Sequence, residues 1–166
     1  MTIYKNSYFN LRIDFSDNWR LQSWSTWKKE PKNNVYMQRS DDDIPHIENE
    51  SKNLFLSHRR IKESPTLFSC QFSMQVYCAE NTYHLSSLIS DRDNQTSRVQ
   101  KAGELFGKEA QIVIIHHDCN DYVFIQETVA WQAAPNLWLS ATMAGDNNHS
   151  FEEAKSQFNK LICVVD

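Results

Sequence analysis

Apolar and polar positions alternate over several stretches of the chain, and the pattern turns to a helical period at a short mid-chain segment and again near the end. Phe9, Leu11, Ile13 and Phe15 interleave with Asn10, Arg12 and Asp14, the period of two expected of a half-buried strand. Ser16-Asp17-Asn18 supplies turn chemistry, and Trp19 with Leu21 opens a second short strand, so the pattern predicts a hairpin. Leu54 to Arg59 reads as a third strand. The clearest strand runs from Phe68 to Cys78, where Phe68, Cys70, Phe72, Met74, Val76 and Cys78 are apolar and Ser69, Gln71, Ser73 and Gln75 are polar. One face of it belongs in a core.

After Asn81, Leu85, Leu88 and Ile89 fall at helical spacing and predict a short helix ending near Asp91. The second half predicts a meander: a weak strand from Val99 to Phe106, a strong one from Glu109 to His117, then Tyr122 to Trp131 and Leu137 to Ala144. The connections Asp118-Cys119-Asn120-Asp121 and Ala134-Pro135-Asn136 are short, which makes antiparallel pairing the expectation. Ser150 followed by Glu153 has the form of a capping box, and Phe151, Ala154, Phe158, Leu161 and Ile162 form one apolar stripe. The fold class expected is α+β: an antiparallel sheet of six or seven strands with a C-terminal amphipathic helix packed on it.

The segment 25–52 differs in kind. It is polar, holds Pro31, Pro45 and the run Asp41-Asp42-Asp43, and sustains no period, so it reads as a long loop or insertion with a short strand near Val35 to Gln38.

Length and composition narrow the function. A chain of 166 residues suits one domain, and 40% hydrophobic with 23% charged residues excludes disordered and coiled-coil classes. Only three glycines are present, too few for most phosphate-cradling glycine loops, and no cofactor motif appears. The formal charge is -4 with no concentrated basic stripe, so nucleic acid is not the expected partner. No apolar run approaches the roughly 20 residues of a membrane span, and Met1 to Ser7 has no apolar signal core, so a cytoplasmic location is expected.

Candidate chemistry is sparse. Cys70, Cys78, Cys119 and Cys163 show no CxxC pair, and the first two share the parity of a buried strand face. His116-His117-Asp118-Cys119 brings together two imidazoles, a carboxylate and a thiol. Adjacent strand residues point to opposite faces, so His116 and His117 do not chelate one ion from a single strand, while Cys119 could curl back to either imidazole. Asp41, Asp42 and Asp43 with His46, Glu48 and Glu50 could gather oxygen ligands for a hard cation but lack EF-hand spacing. His58-Arg59-Arg60 and Lys28-Lys29 supply local positive charge. Trp24 and Trp27 enter the polar segment, and Trp131 and Trp138 flank a turn where they could approach one another across the hairpin; all four are candidate partner-binding residues.

The opening residues Tyr4, Asn6, Tyr8, Phe9, Leu11 and Ile13, followed by a turn and Trp19, resemble the start of the PsbP-like domain. A Gly-Lys-Glu-Ala strand start at Gly107 to Ala110 and a Phe-Glu-Glu-Ala helix at Phe151 to Ala154 continue the likeness over nearly the whole chain. The pattern departs from the family at Asn10, at Ser16 and in the length of segment 25–52. That family includes a photosystem II extrinsic subunit, a Ran-binding import factor and bacterial proteins, among them chaperones for type VI secretion effectors. The resemblance implies a single domain over 1–166 with the fold of an α/β/α sandwich. It also implies a non-catalytic role as a protein-binding or adaptor module, and it transfers no catalytic residue. The alternatives are a secretion-effector chaperone or immunity protein, and a small cysteine-dependent hydrolase using Cys119 with His116 or His117.

Overall fold

Two sheets, not one, carry the core. The computed structural model describes residues 2–22, 28–30, 35–38, 51–62, 69–78 and 96–163. In chain order these form β1 (Thr2–Asn6), β2 (Leu11–Phe15), β3 (Arg20–Gln22), β4 (Lys28–Glu30), β5 (Val35–Gln38), β6 (Ser51–Arg59), β7 (Cys70–Cys78), β8 (Thr96–Leu105), β9 (Lys108–Asp118), β10 (Val123–Ala134), β11 (Leu137–Gly145), α1 (Asn148–Phe158) and β12 (Ile162–Cys163). Seven strands lie in the order β3-β6-β7-β11-β10-β9-β8, with every neighbour antiparallel. The other five lie in the order β12-β2-β1-β5-β4, in which β1 and β5 run parallel.

The seven-stranded sheet with its helix is the α+β arrangement expected, and the meander from β8 to β11 pairs in sequence order. The second sheet was not expected. Its β1 carries Tyr4 and Asn6 inward, both buried, so its inner face is too polar to read as apolar alternation. The predicted opening hairpin is also corrected: β2 pairs with β1, while β3, after the Ser16 to Trp19 turn, crosses to the larger sheet and pairs with β6. The short strand near Val35 forms as β5. The predicted helix at Asn81 to Asp91 lies outside the described residues.

Even positions of β7 are buried as the period requires: Cys70, Phe72 and Val76 are fully inaccessible and Met74 nearly so. Around Phe72 an aromatic cluster ties the layers together. Its ring meets Phe55 of β6 at 5.2 Å, Phe15 of β2 at 6.2 Å and Phe158 of α1 at 5.9 Å, while Phe55 also stacks on Tyr4 at 4.8 Å. Tilted and edge-on rings at these distances add about 1 kcal/mol per pair to the burial itself. Burial pushes the Tyr4 phenol well above its usual range, with the Asn6 amide as its buried neighbour at 3.3 Å.

The helix starts one turn earlier than the capping box implied. Asn147, not Ser150, is the N-cap, its side-chain oxygen accepting from the Ser150 amide at 2.8 Å. Ser150 is buried in the first turn, and Glu153 reaches across to Arg59 at 2.6 Å. The entry to the helix is tight: a Cβ on Gly145 would lie 2.2 Å from the Phe151 amide nitrogen, so no larger residue fits. Nor does the chain close on the helix, because β12 returns to pair with β2. On the sheet, α1 lies over β7 and β11 and reaches β10, with Gln157 donating to the Asp14 carbonyl at 3.0 Å.

Because Phe72 joins both sheets and the helix, Phe72→Ala is expected to cost about 3–5 kcal/mol, whereas Val123→Ala, at an exposed strand position, should stay within about 0.5 kcal/mol. Urea denaturation followed by tryptophan fluorescence measures both, and a Phe72→Ala midpoint equal to wild type would show that the cluster does not hold the layers together.

Candidate functional site

The sheets have four edges among the described residues, and they are unequal. β12 is two residues long, and β3 and β4 are three each. The fourth, β8, is ten residues long and pairs with β9 in unbroken register from Thr96↔His117 to Leu105↔Lys108. An edge strand leaves alternate N–H and C=O groups without a ladder partner, and proteins blunt long edges with bulges, proline or charge. β8 has no bulge and no proline, only Arg98, Lys101 and Glu104 as charged guards.

The local sequence holds this edge straight. The loop joining β8 to β9 is the two-residue turn Phe106-Gly107, with φ of 52° and 71°, the paired positive φ values of a type I′ hairpin. Phe106 accepts this backbone while its ring packs edge-on against Trp131 at 5.7 Å. Gly103 lies so close to Ile112 that a Cβ would stand 2.7 Å from its Cδ1, which draws the middle of β8 onto β9.

Across the sheet one row grades from core to solvent. Ser57, Phe72 and Met143 are fully buried, Glu127 and Ile114 are half-buried, and Val99 on β8 is 54% exposed. Glu127 is met by Lys155 of α1 at 3.3 Å, and beyond that pair Ile114 and Val99 continue the apolar row outward. Ser97, Gln100, Lys101, Ala102 and Glu104 are exposed with Val99, so both faces of β8 offer side chains beside its open backbone.

Of the residues expected to bind a partner, Trp24 and Trp27 lie outside the described residues. Trp131 is 1% exposed, a core residue with no surface to offer. Trp138 is half-buried on the opposite face, against Val113 and Ala130. The two do not meet across the hairpin: Trp131 stands opposite Leu139 and Trp138 opposite Gln132, so a bulge between Gln132 and Ala134 notwithstanding, they point to opposite sides.

His116 and His117 are divided between the faces as strand geometry requires, His116 opposite Ile125 and His117 opposite Phe124. The Cys119 thiol does not curl back to either imidazole. Its hydrogen bond goes to the His117 carbonyl at 3.7 Å, within a turn closed by Cys119 N–H to Tyr122 O at 2.9 Å. The Tyr122 phenol titrates above its ordinary value because it shares a hydrogen bond with Cys119 and feels its charge. Among the described residues no group of three or more His, Cys, Asp or Glu converges as a metal site, and no helix is long and apolar enough to cross a membrane. The acidic set from Asp41 to Glu50 lies outside the described residues.

Comparison with known proteins finds no matching family model and no match among curated proteins.

Thiol reactivity separates these environments. Cys70 is fully buried and its pKa is pushed up to about 11 by desolvation, while Cys119 is half-exposed in its turn. Iodoacetamide with peptide mapping should therefore label Cys119 in the native protein and Cys70 only in denaturant; native labelling of Cys70 at the Cys119 rate would contradict the burial described.

Proposed function

We propose that this chain is a non-catalytic protein-binding module that takes an extended segment of its partner onto the open edge of β8. The observation that carries the reading is the one long, regular edge among the described residues, ten residues without a bulge, beside three described edges of two or three residues. Strand addition at such an edge gains affinity from main-chain hydrogen bonds and specificity from alternate side chains. About five of the ten residues direct N–H and C=O outward, each bond worth about 0.5–1.5 kcal/mol, enough for a reversible complex. A partner strand would meet Val99 and Lys101 on one face and Gln100 and Glu104 on the other, which favours an apolar residue beside an acidic one.

The sequence resemblance to PsbP-like domains supports the same class, since the members named above act on other macromolecules. The PsbP-like form of the fold, with a second helical layer, is part of this proposal. Effector chaperones and immunity proteins are special cases of the same binding class.

The test uses strand chemistry. Successive residues of β8 alternate in direction, so of Gln100 and Lys101 one aims its N–H at β9 and the other at the open edge. Extended peptides are selected from a random display library on the intact chain, and binding is measured for Gln100→Pro and Lys101→Pro. The outward-facing position should keep its thermal midpoint and lose binding at least about tenfold, while the inward one loses a ladder bond and stability. Hydrogen exchange should slow at the outward β8 amides of the wild type on binding. Peptides that bind while leaving these amides unprotected, or that tolerate both substitutions, would overturn the proposal.

A further inference from the structure

At the opposite end of the seven-stranded sheet from β8, the run His58-Arg59-Arg60 is split by strand alternation. Arg59 turns toward α1 and is answered by Glu153 at 2.6 Å. His58 and Arg60 go to the other side, where they line a cleft of about 460 Å³ with Asp17, Asn18 and Arg20. His58 stands directly opposite Arg20 in the β3–β6 pair.

Cationic groups placed opposite each other on neighbouring strands repel, and such a pair usually costs a few tenths of a kcal/mol to about 1 kcal/mol. Here two guanidiniums and an imidazole share one concave surface with a single carboxylate, that of Asp17, among the described lining residues. Burial first, and then the charge of Arg20, holds the His58 imidazole below its usual value, so the free cleft resists a third positive charge. An anion seated there reverses that balance, because each of these groups donates to it.

We infer that this cleft is a binding site for a small phosphate-bearing molecule, with Arg20 and Arg60 clamping the phosphate and His58 and Asn18 donating beside them. Guanidinium matches phosphate oxygens with paired donors, which a lysine cannot do. The volume lies within the range of about 300–1,000 Å³ typical of small-molecule sites and exceeds what a bare phosphate fills, so the ligand is an ester with a small organic part. Asp17 is held below the usual carboxylate range by its hydrogen bond with the N-terminal ammonium, so the two guanidiniums of the cleft keep an excess charge suited to one phosphate group.

The test titrates the intact chain at low salt with glycerol 2-phosphate, inorganic phosphate and succinate, following the His58 ring protons by NMR. Glycerol 2-phosphate should saturate, and bind more tightly than either of the others. Arg20→Gln and Arg60→Gln should each weaken it about tenfold or more, while Lys108→Gln, on β9 and away from the cleft, leaves it unchanged. Arg20→Lys and Arg60→Lys keep the charge and lose the fork, and they should also weaken binding; they decide the matter if a Gln variant fails to fold. Sulfate keeps its charge across the range, so its affinity should rise from about pH 8 to about pH 5 as His58 gains a proton, and His58→Gln should flatten that rise. The groups around His58 are Arg20 from β3, Asp17 with the N-terminal ammonium it pairs with, Asn18 from the preceding turn, Arg60 two residues on, and Gln71, its register partner on β7. A linear, unsaturated shift, equal weakening by Lys108→Gln, or succinate binding as tightly as the phosphate ester would each overturn the proposal. None of these measurements involves β8, so they stand apart from the strand-addition reading.

Discussion

The stacking of Phe72 against Phe55, Phe15 and Phe158 is the contact on which the architecture turns. These rings come from four elements, two strands of the large sheet, one of the small sheet and the helix, and they pack together on one face of the large sheet. Their position near one end of the large sheet decides what is covered. The helix settles over β7 and β11 and reaches β10, the small sheet meets β6 and β7 through Tyr4 and Phe15, and its last strand brings Cys163 near Lys108 of β9. Among the described residues the large sheet ends in the long edge of β8 on one side and in the polar cleft beside β3 on the other.

Much of the large sheet was legible because its signals are local. The alternation from Cys70 to Val76 named the buried face of β7 residue by residue, and the turns at Asn120 and Asn136 marked the hairpins of the meander. The small sheet was not legible, because it is assembled from strands far apart in the chain, one of which hides Tyr4 and Asn6 inside. Asn6 is the instructive case: its side-chain oxygen accepts from the amides of Tyr8 and Phe9 at 3.0 and 3.1 Å, building the turn into β2. A buried asparagine that serves the backbone looks, in sequence, like an exposed one.

The candidate sites were legible only in part. The tryptophans drew attention as interface residues, yet Trp131 is spent on the core, and adjacent-strand parity separates it from Trp138. The charge of His58-Arg59-Arg60 was visible, but its division by strand alternation, and the arrival of Arg20 from another part of the chain, need the pairing of β3 with β6. The exposed edge of β8 had no sequence signature, since an edge is defined by what fails to pair. The scarcity of glycine is explained by chemistry that was visible: Asn10, Asn120 and Asn136 hold φ of 51°, 66° and 62°, conformations that asparagine tolerates better than other side chains.

The pairing of β12 with β2 joins Cys163 to Leu11 and Ile162 to Arg12, and the Cys163 thiol reaches the Phe9 carbonyl at 3.7 Å. During synthesis, then, an early strand must wait with one side unsatisfied until almost the last described residues have been made. The parallel union of β1 with β5 adds a second crossover of this kind. Contacts of such long sequence separation form late, because loop-closure entropy is lost before they return any energy. On the ribosome the meander from β8 to β11 can assemble from neighbours alone, while the small sheet cannot be completed until β12 has been made.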